Sequence, residues 1–251
     1  NALRKYNPYG DLLWTFTNPH PETDEDYLRP QIDTQTGLIW VVGVFSPSPN
    51  VTQHHVYLLD MEGINLSGDL PTTLPGNLRW GPVQAPDGGV VIATEGGSIE
   101  RLDIVNGQIH ERWITQLTLA EGTAVETLPV IAEDGSTFVG TRALITPTEG
   151  GFETRTPATL FRIDVDGVVA DSRELPASVM NLLLGSSGDL VVQGLDALYS
   201  FSTADLQTQN FDPVKPGWMS WVGWPMNASN FLAVDSEGGI YGAYQDYNNS
   251  G

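Results

Sequence analysis

One pattern recurs five times along this 251-residue chain: a short apolar run, a turn carrying Gly or Asn, then a second apolar run. The copies begin at Arg29, Gly81, Leu128, Asn181 and Gly223, with turn residues Gly37, Gly88, Gly135, Gly188 and Asn230 spaced 42 to 53 residues apart. Gly and Asn reach positive φ at little steric cost, as a tight hairpin requires. The spacing is that of a propeller blade, a four-stranded sheet that buries its faces only by stacking against neighbours. The repeat predicts an all-β fold, a β-propeller of four-stranded antiparallel blades. Five blades are favoured, with six, or a piece of a larger ring, as the alternative.

Each copy supplies strands A and B. Further strand pairs begin at His54, Ser98, Ala158 and Ala197, with imperfect apolar alternation such as Ile99, Leu102 and Ile104. The outer D strands are more polar, as a blade's rim should be. Proline recurs near the start of strand A at Pro30, Pro82, Pro129 and Pro225, a position where a missing N–H is tolerated. No stretch of ten or more residues combines helical periodicity with caps. The nearest, Leu117 to Leu128, is weakened by Gly122, Thr123 and Val125.

The ends break the pattern. Residues 1–17 read as an outer hairpin without inner strands, and the last copy lacks an outer strand. The expected solution is one domain over residues 1–251, with Leu12–Phe16 as the outer strand of the closing blade. That leaves one C strand surplus, so a longer propeller cut at both ends is the rival. A start at Asn1 rather than Met suggests a processed or partly represented protein.

Composition narrows the partners. With 31 acidic and 11 basic residues the formal charge is -20. Such a surface repels phosphate backbones and anionic lipid headgroups, which speaks against nucleic acid and bare membrane. Basic protein patches, neutral sugars and cations remain. No apolar run is long enough to span a bilayer, so membrane insertion is not expected. The absence of cysteine removes disulfides, thiolate metal sites and a Cys nucleophile. Sequons at Asn50, Asn65, Asn227 and Asn248 are glycosylation candidates, although a loop protein rich in Ser, Thr and Asn collects such triplets unaided.

The segments LRKYNPYGDLLWTF, from Leu3, and LDIVNGQIHERW, from Leu102, resemble the blade signature of the PQQ-like, or quinoprotein-type, propellers. In that family an outer hairpin with an Asp–x–x–x–Gly turn is followed by a Trp that docks between adjacent blades. Trp14 and Trp113 stand four and six residues after Gly10 and Gly107; elsewhere Leu70, Leu175 and Phe211 are nearest that place. Quinone-dependent members are much longer and pair a vicinal disulfide with calcium ligands and a catalytic aspartate. A short cysteine-free chain keeps none of that recognisably. The resemblance therefore implies a non-enzymatic scaffold branch, like those of the bacterial envelope, and a secreted, periplasmic or cell-surface location. Thr36–Gly43 and Asp87–Thr94 are also similar to the A–B hairpins of six-bladed sugar-lactonase propellers.

Long connections on a rigid scaffold are where function concentrates. Those expected here are Phe45–His55, Arg142–Pro157, Thr17–Leu28 and Val214–Val222. Trp218, Trp221 and Trp224 fall within seven residues, and Trp80 holds a position like that of Trp224 before its own blade. Indoles stack on sugars, apolar anchors and cations, although packing between blades is the favoured reading for these. His54 and His55 point to opposite faces of one strand and cannot ligate one metal without a bulge. His20 and His110 have no neighbour at ligand spacing. Glu22, Asp24, Glu25 and Asp26 form an acidic loop, read first as solvated; Asp24 and Asp26 are weak metal candidates, for calcium. Asp164, Asp166 and Asp171 are better read as a C–D turn and its strand than as a calcium loop. Glu95, Asp196 and Asp235 follow B strands and would converge in a lactonase-type site. The expectation is a non-catalytic binding or assembly scaffold without cofactor, presenting Trp80, Trp218, Trp221, Trp224, Glu95 and Asp235 to a protein or glycan. It would also suit a subunit of a larger extracellular assembly. The alternative is a divalent-cation-dependent lactonase or hydrolase.

Overall fold

A computed structural model of the chain describes residues 2–20, 24–48, 51–72, 77–148, 151–185, 188–214, 232–234, 237 and 239–242. All regular structure in them is β-strand, as the repeat predicts. The chain divides into two compact units, Asn1–Thr118 and Leu119–Gly251.

The first unit opens with a hairpin of β1 (Ala2–Tyr6) and β2 (Leu12–Thr17). The first blade follows, made of β3 (Asp26–Tyr27), β4 (Gln31–Ile32), β5 (Ile39–Ser48), β6 (Val51–Leu59) and β7 (Asn65–Thr72). Both β3 and β4 pair with β5, and the sheet continues through β6 to β7. Strand A is thus in two pieces with Pro30 between them, because proline has no N–H to give the ladder. The second blade is β8 (Val83–Gln84), β9 (Val90–Ala93), β10 (Ser98–Val105) and β11 (Gln108–Gln116), hydrogen-bonded in that order. Here a bridge between Leu78 and Thr94 precedes Pro82, so the interruption repeats.

Alternation along β6 divides the core. Val56 and Leu58 pack with Trp40, Val42, Val90, Ile92 and Leu102 between the first two blades. Tyr57 and Leu59 face the other way and pack with Phe16, Ile39, Val41 and the partly buried Leu3 and Trp14 of the hairpin. A fully buried side chain of this size contributes about 1.5–3 kcal/mol.

In the second unit, β12 (Val130–Ile131), β13 (Thr137–Gly140), β16 (Ala158–Ile163) and β17 (Val169–Leu175) form the third blade, again with a bridge, Val125 to Thr141, ahead of its proline. The fourth is β18 (Val179–Leu184), β19 (Asp189–Gly194), β20 (Leu198–Ser202) and β21 (Gln209–Val214). Phe138, Leu160, Leu175, Val179, Leu190, Val192 and Phe201 fill the space between them. Gly140 lies so close to Val179 that an added Cβ would overlap that side chain. A two-stranded pair, β22 (Leu232–Val234) and β23 (Ile240–Gly242), follows. The strand expected at Gly223–Asn227 lies outside the described residues.

Two expected loops are strands instead. Across Phe45–His55, β5 and β6 stay paired out to Ser48 and Val51. Within Arg142–Pro157, β14 (Leu144–Thr148) and β15 (Gly151–Thr156) make a separate hairpin. Alternating β-branched residues such as Val51, Ile145, Thr154 and Thr156 favour extension, and pairing satisfies backbone groups that a long loop would leave to water.

The C–D turns act as docking points between blades. Asp60 Oδ1 accepts from the N–H groups of Glu62 and Ile64, and Asp205 Oδ1 accepts from that of Gln207. Asp164 Oδ1 accepts likewise from Asp166 and Val168, so that segment is the expected turn. In the first unit Trp14 Nε1–H donates to Met61 O at 2.9 Å, Lys5 Nζ donates to the same oxygen at 2.7 Å, and the indole lies against Gly63. Gly63 has φ +83°, so any side chain there would be strained as well as blocked by the ring. In the second unit Arg173 donates to Leu206 O and Gln207 O, both at 3.1 Å, with its guanidinium 5.0 Å over the Phe201 ring. Leu206 follows Asp205 as Met61 follows Asp60, so the same turn carbonyl is used. The residue in the bridging place of the third blade is therefore Arg173, not Leu175, which is buried in the core.

Replacing Arg173 with Met keeps the stem but removes both donors. Denaturant unfolding should show a loss of about 1–3 kcal/mol. A midpoint equal to wild type would show that the bridge contributes nothing.

Candidate functional site

The densest group of ionisable and aromatic side chains lies at the end of the first blade where strand A begins and strand C begins. Glu25, just before β3, turns inward and is 2% exposed, while its neighbours Asp24 and Asp26 are exposed. The Glu25 carboxylate meets His55 Nδ1 at 2.5 Å and accepts from the Tyr57 hydroxyl at 2.9 and 3.1 Å. His55 and Tyr57 are two apart on β6 and so share a face. The His55 ring is flanked by Phe45 and His20, each with centroids 4.7 Å away. Gly43 on β5 makes the room: an added Cβ would overlap Glu25 Oε2 and stand 3.1 Å from Tyr27. Burial, with the Glu25 charge second, holds the Tyr27 phenol well above its usual range.

His54 points to the other face, as alternation requires. Burial, and next the adjacent His55, push it down to about 4, so it is neutral at physiological pH.

A carboxylate behind an imidazole can orient a general base or a metal ligand. Here the carboxylate and the phenol are sealed, and the His55 side chain is 9% exposed. Among the described residues no group of three or more His, Asp or Glu is arranged to hold a metal ion. The arrangement secures the connection before strand A to strand C, and a substrate would not reach its acid. Sequence reasoning took Glu25 as part of a solvated loop and gave His20 and His55 no role. The available signal was the His55–x–Tyr57 pair on one strand face opposite a glycine in β5.

A second, open group joins two of the expected site residues. Arg79 places its guanidinium 5.4 Å over the Trp80 ring and pairs with Glu95 Oε1 at 3.3 Å. Glu95 N–H donates to Asn77 O at 2.8 Å, and Thr52 Oγ1 donates to Asn77 Oδ1 at 2.7 Å. The segment from Asn77 to Trp80 thus ties the first blade, through Thr52, to the second, through Glu95. Arg79 is nearly half exposed and Trp80 is half-buried.

The remaining expected residues are scattered. Asp196, in the second unit, accepts from the Tyr199 hydroxyl at 2.7 Å. Asn65 is half-buried on β7 with Oδ1 away from solvent, and His110 is exposed on β11. Glu22, Asn50, Trp218, Trp221, Trp224, Asn227, Asp235 and Asn248 lie outside the described residues.

No family model matches the sequence, and no curated protein does. Among solved structures the chain is similar to the Pan2 WD40 domain of Neurospora crassa, with TM-score 0.53 and 11% identity over 86% of this chain and 60% of that one. The fold is a β-propeller. At that identity the likeness speaks for the fold alone. Weaker likenesses, which carry no further argument, are to a Bacteroides caccae protein of unknown function (TM-score 0.43, 13% identity, 80% of this chain, 64% of that one) and to BamB from Moraxella catarrhalis (TM-score 0.39, 14% identity, 81% and 69%). The propeller chain spans less than two thirds of the Pan2 domain and of the Bacteroides protein.

Introducing a methyl group with Gly43→Ala should expel the Glu25 carboxylate from its donors. The expected cost is about 3–5 kcal/mol, the range for breaking a buried charge pair. Glu25→Gln in the Gly43→Ala background should then cost little more. Full additivity of the two substitutions would show that Gly43 acts elsewhere.

Proposed function

We propose that the chain is a non-catalytic binding or assembly propeller that presents the Arg79–Trp80–Glu95 group to a protein or glycan partner. One observation carries this reading: the catalytic-looking cluster is closed, whereas the group open to solvent is an indole with a cation over it and a carboxylate beside it. Indole faces accept sugar rings and apolar side chains, and Arg and Trp are the residue types that dominate interface energetics. The formal charge of -20 favours a partner with a basic patch or a neutral sugar over one rich in phosphate. Glu95 is already engaged by Arg79, which weighs against a calcium-based hydrolase site there.

The finer assignment, to the scaffold branch of the PQQ-like propellers, is supported by the docking of Trp14 on the next blade's C–D turn, the role that Trp has in that family. An extracytoplasmic location is in keeping with the cysteine-free composition and belongs to the same proposal.

The test compares wild type with Trp80→Ala and Glu95→Gln in glycan-array binding and in cross-linked capture from the source organism's extract. Trp80→Ala should weaken the retained interaction at least tenfold, the scale of an interface hot spot, while the melting temperature stays near wild type. Added calcium should leave that temperature unchanged. Calcium-dependent melting together with lactone or ester hydrolysis lost in Glu95→Gln would overturn the proposal.

A further inference from the structure

Glu100 is a fully buried acid of the first unit that the reading above does not use. It lies in β10 of the second blade, 0% exposed, with both carboxyl oxygens shut off from solvent and without a hydrogen-bond partner among the described residues. Its cross-strand neighbours are Ile92 and Ile114. It is two residues from Leu102, so it shares the face that packs against the first blade with Val90 and Ile92. Opposite stand Trp40, Val42, Val56 and Leu58, all uncharged.

The titratable groups on these faces are few. Glu111 on β11 lies opposite Leu102 and brings like charge. His54, on the first blade's face toward Glu100, is neutral and brings none. Arg101 and Asp103 alternate to the far face of β10, where Arg101 bonds Asp87, Asp103 and Gly88 O. The adjacent cation therefore cannot neutralise Glu100. An ionised carboxylate in such surroundings, without donors, is strongly disfavoured.

We propose that Glu100 is a proton-operated switch: as the neutral acid it lets the first two blades close over it, and its ionisation loosens their contact. Burial first, and then the Glu111 charge, push it up to about 7. An unfolded chain releases this proton near the ordinary glutamate value of about 4.3. Between the two values the folded protein holds a proton that the unfolded one does not. Stability from this group is therefore fully present below the lower value and is lost as pH rises through the upper one. The segment from Asn77 to Trp80 bridges the same two blades, so the open indole group sits on the contact that Glu100 controls.

The test measures denaturant unfolding of the full chain from pH 4.5 to 8.5 for wild type and Glu100→Gln. The wild-type folding constant should fall relative to the variant by on the order of 100-fold across that range, tenfold per unit while the proton is retained. Amide-exchange protection in β6 and β10, taken relative to the intrinsic rate at each pH, should fall as pH rises in wild type alone. Parallel stability curves overturn the proposal. Should Glu100→Gln fail to fold, the infrared band of a protonated carboxyl in wild type at pH 6, and its loss by pH 8, decides the matter. A spectrum without that band at pH 6 is the overturning result.

Discussion

A blade is a thin sheet with two apolar faces, and neither can be covered from within. Everything stable in this molecule follows from leaning one sheet on the next. Within the first unit the two faces of β6 go to two different neighbours, the N-terminal hairpin and the second blade. In the second unit the third and fourth blades share one continuous core. Hydrogen bonding hardens these contacts at one recurring point, the C–D turn. Its second carbonyl accepts from Trp14 in one case and from Arg173 in the other. An indole and a guanidinium serve alike because each offers a flat face for packing and an N–H at its edge.

The repeat was legible because it is written in turn chemistry. Gly37, Gly88, Gly135 and Gly188 all have positive φ, and the period between such turns is a property of the chain rather than of its packing. Strand A's proline was legible as a marker but misplaced as a strand start, since the backbone partner lies on either side of it. Phe45–His55 and Arg142–Pro157 were misread because length alone cannot distinguish a loop from a hairpin that extends past the sheet.

The site was less legible, for a physical reason. Asp24, Glu25 and Asp26 look alike in sequence, yet strand alternation sends only the middle one inward. What receives it, Gly43, His55 and Tyr57, lies 18 to 32 residues away. Trp80 and Glu95 were each chosen for their own chemistry. That Arg79 would join them needed the bend before Pro82, which composition does not encode. Arg173 was overlooked because an aromatic was sought where a planar cation serves.

Three of the buried ionisable groups in the first unit show what the fold does with electrostatics. Glu25 is satisfied by His55 and Tyr57 and fixes a connection. Arg101 is satisfied by two carboxylates and a carbonyl; at Asp87 burial works to raise the carboxyl, but the Arg101 charge and bonds pull it below the usual range, so that pairing persists until acid pH. Glu100, adjacent to Arg101 in sequence, has no hydrogen-bond donor among the described residues, because the pleat turns it away from that cation's partners. The first two are each held by bonded partners. The third is held by its neutral form, and a group of that kind makes the contact between two largely apolar faces respond to a change of a few pH units.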